Sequence, residues 1–140
     1  MRWTSWFMLL LTAVAALGGC KGKIKQMSEA DALLARQNEI WERLKSRLQT
    51  DEPDWNLFDA MDGALGETRL RVQKQFGGDR QEQILQTLDA FAEAYRSEAL
   101  PLLDLSSRQG RPKVSVEEIR AVVEKLDELY KQVKALDLSQ

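Results

Sequence analysis

Four stretches of the chain carry apolar residues at alternating spacings of three and four, and none sustains an alternation of apolar with polar. Spacings of three and four keep side chains on one face of an α-helix, whereas a period of two would build a half-buried strand. The first stretch runs from about Ser28, a good N-cap, to Gln49. Leu34, Trp41, Leu44 and Leu48 form its stripe, Leu33 and Ile40 lie beside it, and Gln37 interrupts it. The second runs from about Asp51, with Pro53 in its first turn, to Phe76 before Gly77-Gly78. Its stripe is Phe58, Met61, Leu65, Thr68, Val72 and Phe76, and it holds register across Gly63 and Gly66. The third starts near Asp79 and carries Ile84, Leu88, Phe91, Tyr95, Leu102 and Leu105, with Glu98 on the same stripe. Pro101 should kink or end it, because proline lacks the amide donor and clashes with the preceding turn. In the fourth, Ser115 and Glu118 form a capping box that Val114 and Ile119 can close as a hydrophobic staple. Ile119, Val122, Leu126, Leu129, Val133 and Leu136 follow.

This 3-4-3-4 pattern belongs to helices crossing at about 20°, and the short first and second connections favour antiparallel neighbours. The fold expected is all-α, an antiparallel four-helix bundle running up-down-up-down. Its main rival is a three-helix core with the first helix loosely attached.

The chain contains no histidine and one cysteine among 140 residues. That removes the commonest general acid-base, the Ser-His triad and the usual haem or zinc ligand. A di-iron bundle needs Glu-x-x-His pairs projecting inward, and carboxylates such as Asp59 and Asp62 have no such partners, so they read as a solvated face. No Gly-rich phosphate loop follows a strand, and Gly63-x-x-Gly66 is at best a packing notch. Glu98 is the one acid on a core stripe and a candidate base if buried, but a carboxylate that reaches water or pairs with a cation is the commoner outcome. Gln37 and Thr68 are polar residues that set helix register more often than they contact ligands. The expectation is a protein that is not an enzyme, with no metal and no cofactor besides a covalent lipid.

The lipid is read from the N-terminal residues. Arg2 supplies a positive n-region, and residues 6–16 (WFMLLLTAVAA) form an apolar run of h-region length. The run is shorter than the roughly 20 apolar residues of a transmembrane helix. Leu17, Gly18 and Gly19 then precede Cys20. An aliphatic residue three before a lone cysteine, with small residues two and one before it, resembles the lipobox of bacterial lipoproteins. The resemblance covers only these residues, and no family is apparent for the rest. It implies diacylglycerol attached to Cys20 by a thioether, cleavage before that residue, and an acyl group such as palmitate on the freed amine. Residues 1–19 are then a signal peptide, 20–27 the lipidated cysteine and a basic tether, and 28–140 the helical domain. With two or three acyl chains such a protein stays on its membrane. In bacteria with two membranes, Asp after the cysteine tends to retain lipoproteins in the inner one. Lys21 stands there instead, which favours the periplasmic face of the outer membrane.

Lys21, Lys23 and Lys25 make the tether basic and are candidate contacts for anionic head groups. Beyond them, 16 basic residues face 22 acidic ones, a balance that offers no footprint for nucleic acid. Seven tether residues (21–27) reach at most about 25 Å, at about 3.5 Å each. The turn around Pro53 and the segment 105–114 should therefore lie at the end away from the membrane. Apolar residues in excess of the stripes collect there: Trp55, Leu57, Leu100 and Leu103 are the candidate partner-binding residues. Two functions compete. One is a non-enzymatic, lipid-anchored module that binds an envelope protein, comparable in architecture to pilotins, the small lipoproteins that escort secretion-system clients. No motif here matches a pilotin, and the single cysteine speaks against the disulfide-bearing kind. The other is a carrier of small molecules or lipid, which needs a cavity between the helices.

Overall fold

The computed structural model describes residues 27–103 and 114–139, and these form four helices with no strand among them. The helix α1 spans Glu29–Gln49. Ser28 caps it, its Oγ accepting the Asp31 amide hydrogen at 3.1 Å. Glu29 and Asp31 in the first turn and Arg47 in the last suit the helix dipole. Asp51, at φ 58°, then turns the chain, in a left-handed conformation that Asp tolerates better than most residues. Arg120 grips this turn by donating to the Leu48 carbonyl and to the Asp51 carboxylate.

The second helix, α2, spans Asn56–Gln75 and begins five residues after the expected Asp51. The reversal at Asp51 occupies the residues expected to be helical, and Asp54 supplies the first capping oxygen, accepting the Asn56 amide hydrogen at 3.1 Å. Every residue of its expected stripe is buried, and Ala64 joins them. Gly77 and Gly78 lead into α3, Gly78–Ala94. Gly78 has φ +61°, a region that glycine enters without steric cost. Gln81 reaches back to donate to the Phe76 carbonyl at 2.6 Å.

The end of α3 widens into a π-helical turn, Tyr95–Ala99, and then tightens into a 3₁₀ turn, Leu100–Leu102. Pro101 has no amide hydrogen to give an α-helical partner, and Leu100 already donates five residues back, to Tyr95. The wide turn takes an extra residue per revolution, so the buried face steps Tyr95, Ala99, Leu103. Ala99 and Leu103 thus replace Glu98 and Leu102 on the core stripe. The last helix, α4, spans Val116–Lys134, and Ser115 accepts the Glu118 amide hydrogen at 3.3 Å. Its buried stripe is Ile119, Val123, Leu126, Tyr130 and Val133. Val122, Leu129 and Leu136 lie partly buried at the flanks instead. The stripe turns toward Tyr130 because that side chain brings a large ring to the core and a hydroxyl to polar partners on α1.

Along each seam, residue numbers rise in one helix as they fall in its neighbour. Glu29 pairs with Arg71 and Arg36 with Glu67 between α1 and α2. Asp62 pairs with Arg96 and Arg69 with Asp89 between α2 and α3. Leu48 meets Arg120 and Ser28 meets Leu138 between α1 and the stretch from α4 onward. The most extensive helix contact is that of α1 with α2, so the alternative of a loosely attached first helix does not hold. At mid-height Trp41 lies 5.1 Å from both Phe91 and Tyr130, ring centre to ring centre, and Phe91 lies 4.7 Å from Tyr130. Tyr95 stacks on Phe91 and donates to the Phe58 carbonyl of α2 at 2.7 Å.

Gly63 and Gly66 are not a packing notch, since a Cβ at either would meet no neighbouring atom within 4 Å. Gly63→Ala and Gly66→Ala should therefore each stabilise the fold by about 0.5–1 kcal/mol through helix propensity alone. Thermal or urea unfolding of each variant checks this, and a loss of stability would mean that the backbone there is needed for close approach.

Candidate partner-binding surface

The end of the bundle built by the start of α2, the π and 3₁₀ turns and the start of α4 carries three of the four candidate residues as a half-buried group. Trp55, Leu57 and Leu100 are partly buried and pack on the core, as do Leu102, Val114 and Val116 around them. Trp55 lies 6.0 Å from the Phe58 ring. The fourth candidate, Leu103, is 7% exposed and belongs to the core, because the wide turn rotates it inward. This end is therefore a half-covered apolar surface rather than an exposed patch. Ion pairs edge it, Arg96 with Asp62 at 2.7 Å and Lys125 with Glu98 at 3.0 Å. Among the described residues the large apolar side chains left mostly exposed are Met27 at 67% and Leu70 at 58%. Met27 precedes α1, at the opposite end.

The seam between α1 and α4 is the polar one. Gln37, fully buried, donates to the Tyr130 hydroxyl at 3.2 Å, and that hydroxyl donates to Asn38 at 2.5 Å. Among the described residues no side chain or amide donates to the Gln37 carbonyl oxygen. One turn along, the Trp41 indole donates to Asp127 at 2.7 Å, and Lys45 binds the same oxygen at 3.0 Å. Glu42 joins Lys45 at 3.1 Å and also Lys134. Thr68, also buried, donates to Ala64 in its own helix at 2.9 Å.

These contacts set the titration of the seam. Burial works to raise the Asp127 carboxyl, but the bonds from Trp41 and Lys45 outweigh it and hold the group below the usual value. Lys134 does the same for Glu42, against the effect of burial. Burial works to lower Lys45, and its bonds to Asp127 and Glu42 outweigh that and raise it. Burial pushes the hydroxyls of Tyr95 and Tyr130 up, so both stay protonated and act as hydrogen-bond donors. Glu98, weighed above as a buried acid, is 38% exposed at its side chain and paired with Lys125. Asp62 is tied to Arg96. The contacts of Tyr130 with Gln37 and Asn38, and of Asp127 with Trp41 and Lys45, join α1 to α4.

Leu17, Gly18, Gly19, Cys20, Lys21, Lys23 and Lys25 lie outside the described residues, as does Leu105. Among the described residues no helix is long and apolar enough to cross a membrane, and no three acidic side chains gather to hold a metal ion. Compared with protein families, with curated proteins and with solved structures, the chain gives no match in any of the three.

Two predictions follow from burial and charge. Leu103→Ala should cost about 2–4 kcal/mol as a core truncation, whereas Trp55→Ala should cost less, about 1–2 kcal/mol, because its ring is only partly covered. Urea unfolding measures both, and equal losses would place Trp55 in the core. A carboxyl held below its unfolded value stabilises the fold above that value, and the contribution is lost as pH falls through the folded one. Stability should accordingly decline below about pH 4, and Asp127→Asn should flatten that decline. An unchanged acid limb in the variant would contradict the assignment.

Proposed function

We propose that this chain is a bacterial lipoprotein, held by lipid on Cys20, whose helical body binds a protein partner in the cell envelope without catalysing a reaction. The observation that carries the reading is the sequence Leu17-Gly18-Gly19-Cys20 at the end of an apolar run. The arrangement of the body supports it. The tether enters at Ser28, beside the α2–α3 link, so the half-buried group around Trp55 faces away from the anchored end. An apolar centre edged by ion pairs is how protein interfaces are commonly composed. The carrier reading has less support, since the Trp41, Phe91, Tyr95 and Tyr130 rings fill the middle of the bundle where a cargo would sit. The hollow beside Met27, about 340 Å³, is open to solvent and mixes Leu34 and Leu136 with Asp31 and Lys134.

Lys21 rather than Asp after the cysteine favours the periplasmic face of the outer membrane in a bacterium that has two membranes. In native cells the wild-type chain should fractionate with membranes and need detergent for release, and Cys20→Ser should lose that association. Lys21→Asp should shift the protein toward the inner membrane. A Cys20→Ser chain that fractionates like the wild type would overturn the anchor.

A further inference from the structure

The segment after α4, residues 135–139, leaves the helix and runs across the end of the bundle where the tether enters. Leu138 is fully buried there. Its carbonyl accepts from Ser28 Oγ at 2.8 Å and from Gln75 Nε2 at 3.2 Å, and its amide hydrogen goes to Asp31 Oδ1 at 3.2 Å. Gln75 in turn accepts the Ala30 amide hydrogen at 3.2 Å. On the other side Arg80 donates to the Ser139 carbonyl at 2.7 Å, while its guanidinium lies 4.6 Å over the Phe76 ring. One short stretch, bonded to the last turn of α4 through the Ala135 and Leu136 amides, thus joins the beginnings of α1 and α3 and the end of α2.

The beginning of α1 needs such support. The first amides of a helix have no partner within it, and here Gln75 and Ser28 take up two of them. Before Leu34 the only fully buried side chain in α1 is Ala30, which has little apolar surface to hold the turn in place. We propose that residues 135–139 are a clasp that keeps the first turns of α1 wound, and so keeps the tether short. The effect on reach rests on the lipid-anchor reading, whereas the clasp does not. With the clasp closed, the seven residues 21–27 before the helix span at most about 25 Å. With it open the chain unravels as far as Leu34, and thirteen residues reach about 45 Å. The distance between body and membrane would then be set by the grip on Leu138.

Hydrogen exchange of the amides 29–33 in the purified full chain tests this, since local opening governs exchange near helix ends. Leu138→Ala should speed it at least tenfold. Arg80→Ala is the more telling variant, because Arg80 donates to the Asp137 and Ser139 carbonyls of the clasp and lies over Phe76. It should speed the same amides several-fold. Leu48→Ala, at the other end of the bundle, should leave 29–33 no more affected than the rest of the chain. Unchanged exchange at 29–33 in both clasp variants, or equal acceleration in all three, would overturn the clasp. A chain carrying no acyl group would overturn the reach, with the exchange data still deciding the clasp.

Discussion

Trp41 has to be dry on its rings and satisfied at its nitrogen, and most of the architecture follows from meeting both demands at once. Its faces and edges are covered by Phe91 and Tyr95 from α3 and Tyr130 from α4. Its indole hydrogen goes to Asp127, which is kept ionised by Lys45. Tyr95 extends the cluster to α2 through the Phe58 carbonyl. Aromatic contacts of this kind contribute about 0.5–1.5 kcal/mol each beyond the area they bury. The hydrogen bonds of Trp41, Tyr95 and Tyr130 tie the same rings to neighbouring helices. The buried Gln37 works in the same way, through its bond to Tyr130.

Where a stripe was made of large apolar residues with no competitor, its buried face was legible in the sequence. The second helix is the clearest case, since Phe58, Met61, Leu65, Thr68, Val72 and Phe76 are all buried as the spacing implies. The caps at Ser28 and Ser115 were legible because a hydroxyl before a helix has one obvious use. Two features were not legible there. In the fourth helix the buried face carries Val123 and Tyr130 in place of the expected Val122 and Leu129. The Tyr130 hydroxyl meets Gln37 and Asn38, which are remote in the sequence, and local pattern carries no trace of them. In the third helix Pro101 is expected to kink or end the helix, and it sits in the closing 3₁₀ turn. Its effect upstream, a widened turn that carries Ala99 and Leu103 inward, depends on how the chain relieves the missing bond. Leu103 was misplaced among the binding candidates for that reason, while Trp55, Leu57 and Leu100 do share one end of the bundle.

On the proposed reading, the division of labour runs along the bundle axis. One end combines the tether entry with the Leu138 contacts. The other presents half-covered aromatic and aliphatic side chains between ion pairs, a surface whose burial against a partner would add apolar area at little cost in ordering, because the backbone is already helical. Between the two ends, buried tyrosine hydroxyls stay protonated and carboxylates are engaged by lysines. On that proposal, the lipid on Cys20 is what would make the helical body a component of the envelope.

Mass spectrometry of the N-terminal peptide from protein purified out of its native membrane is the most direct measurement of that claim. The account predicts that the mature chain begins at Cys20 and carries diacylglycerol on sulfur, with or without a further acyl group on the amine. A mature chain that begins elsewhere, or a Cys20 of unmodified mass, would contradict it.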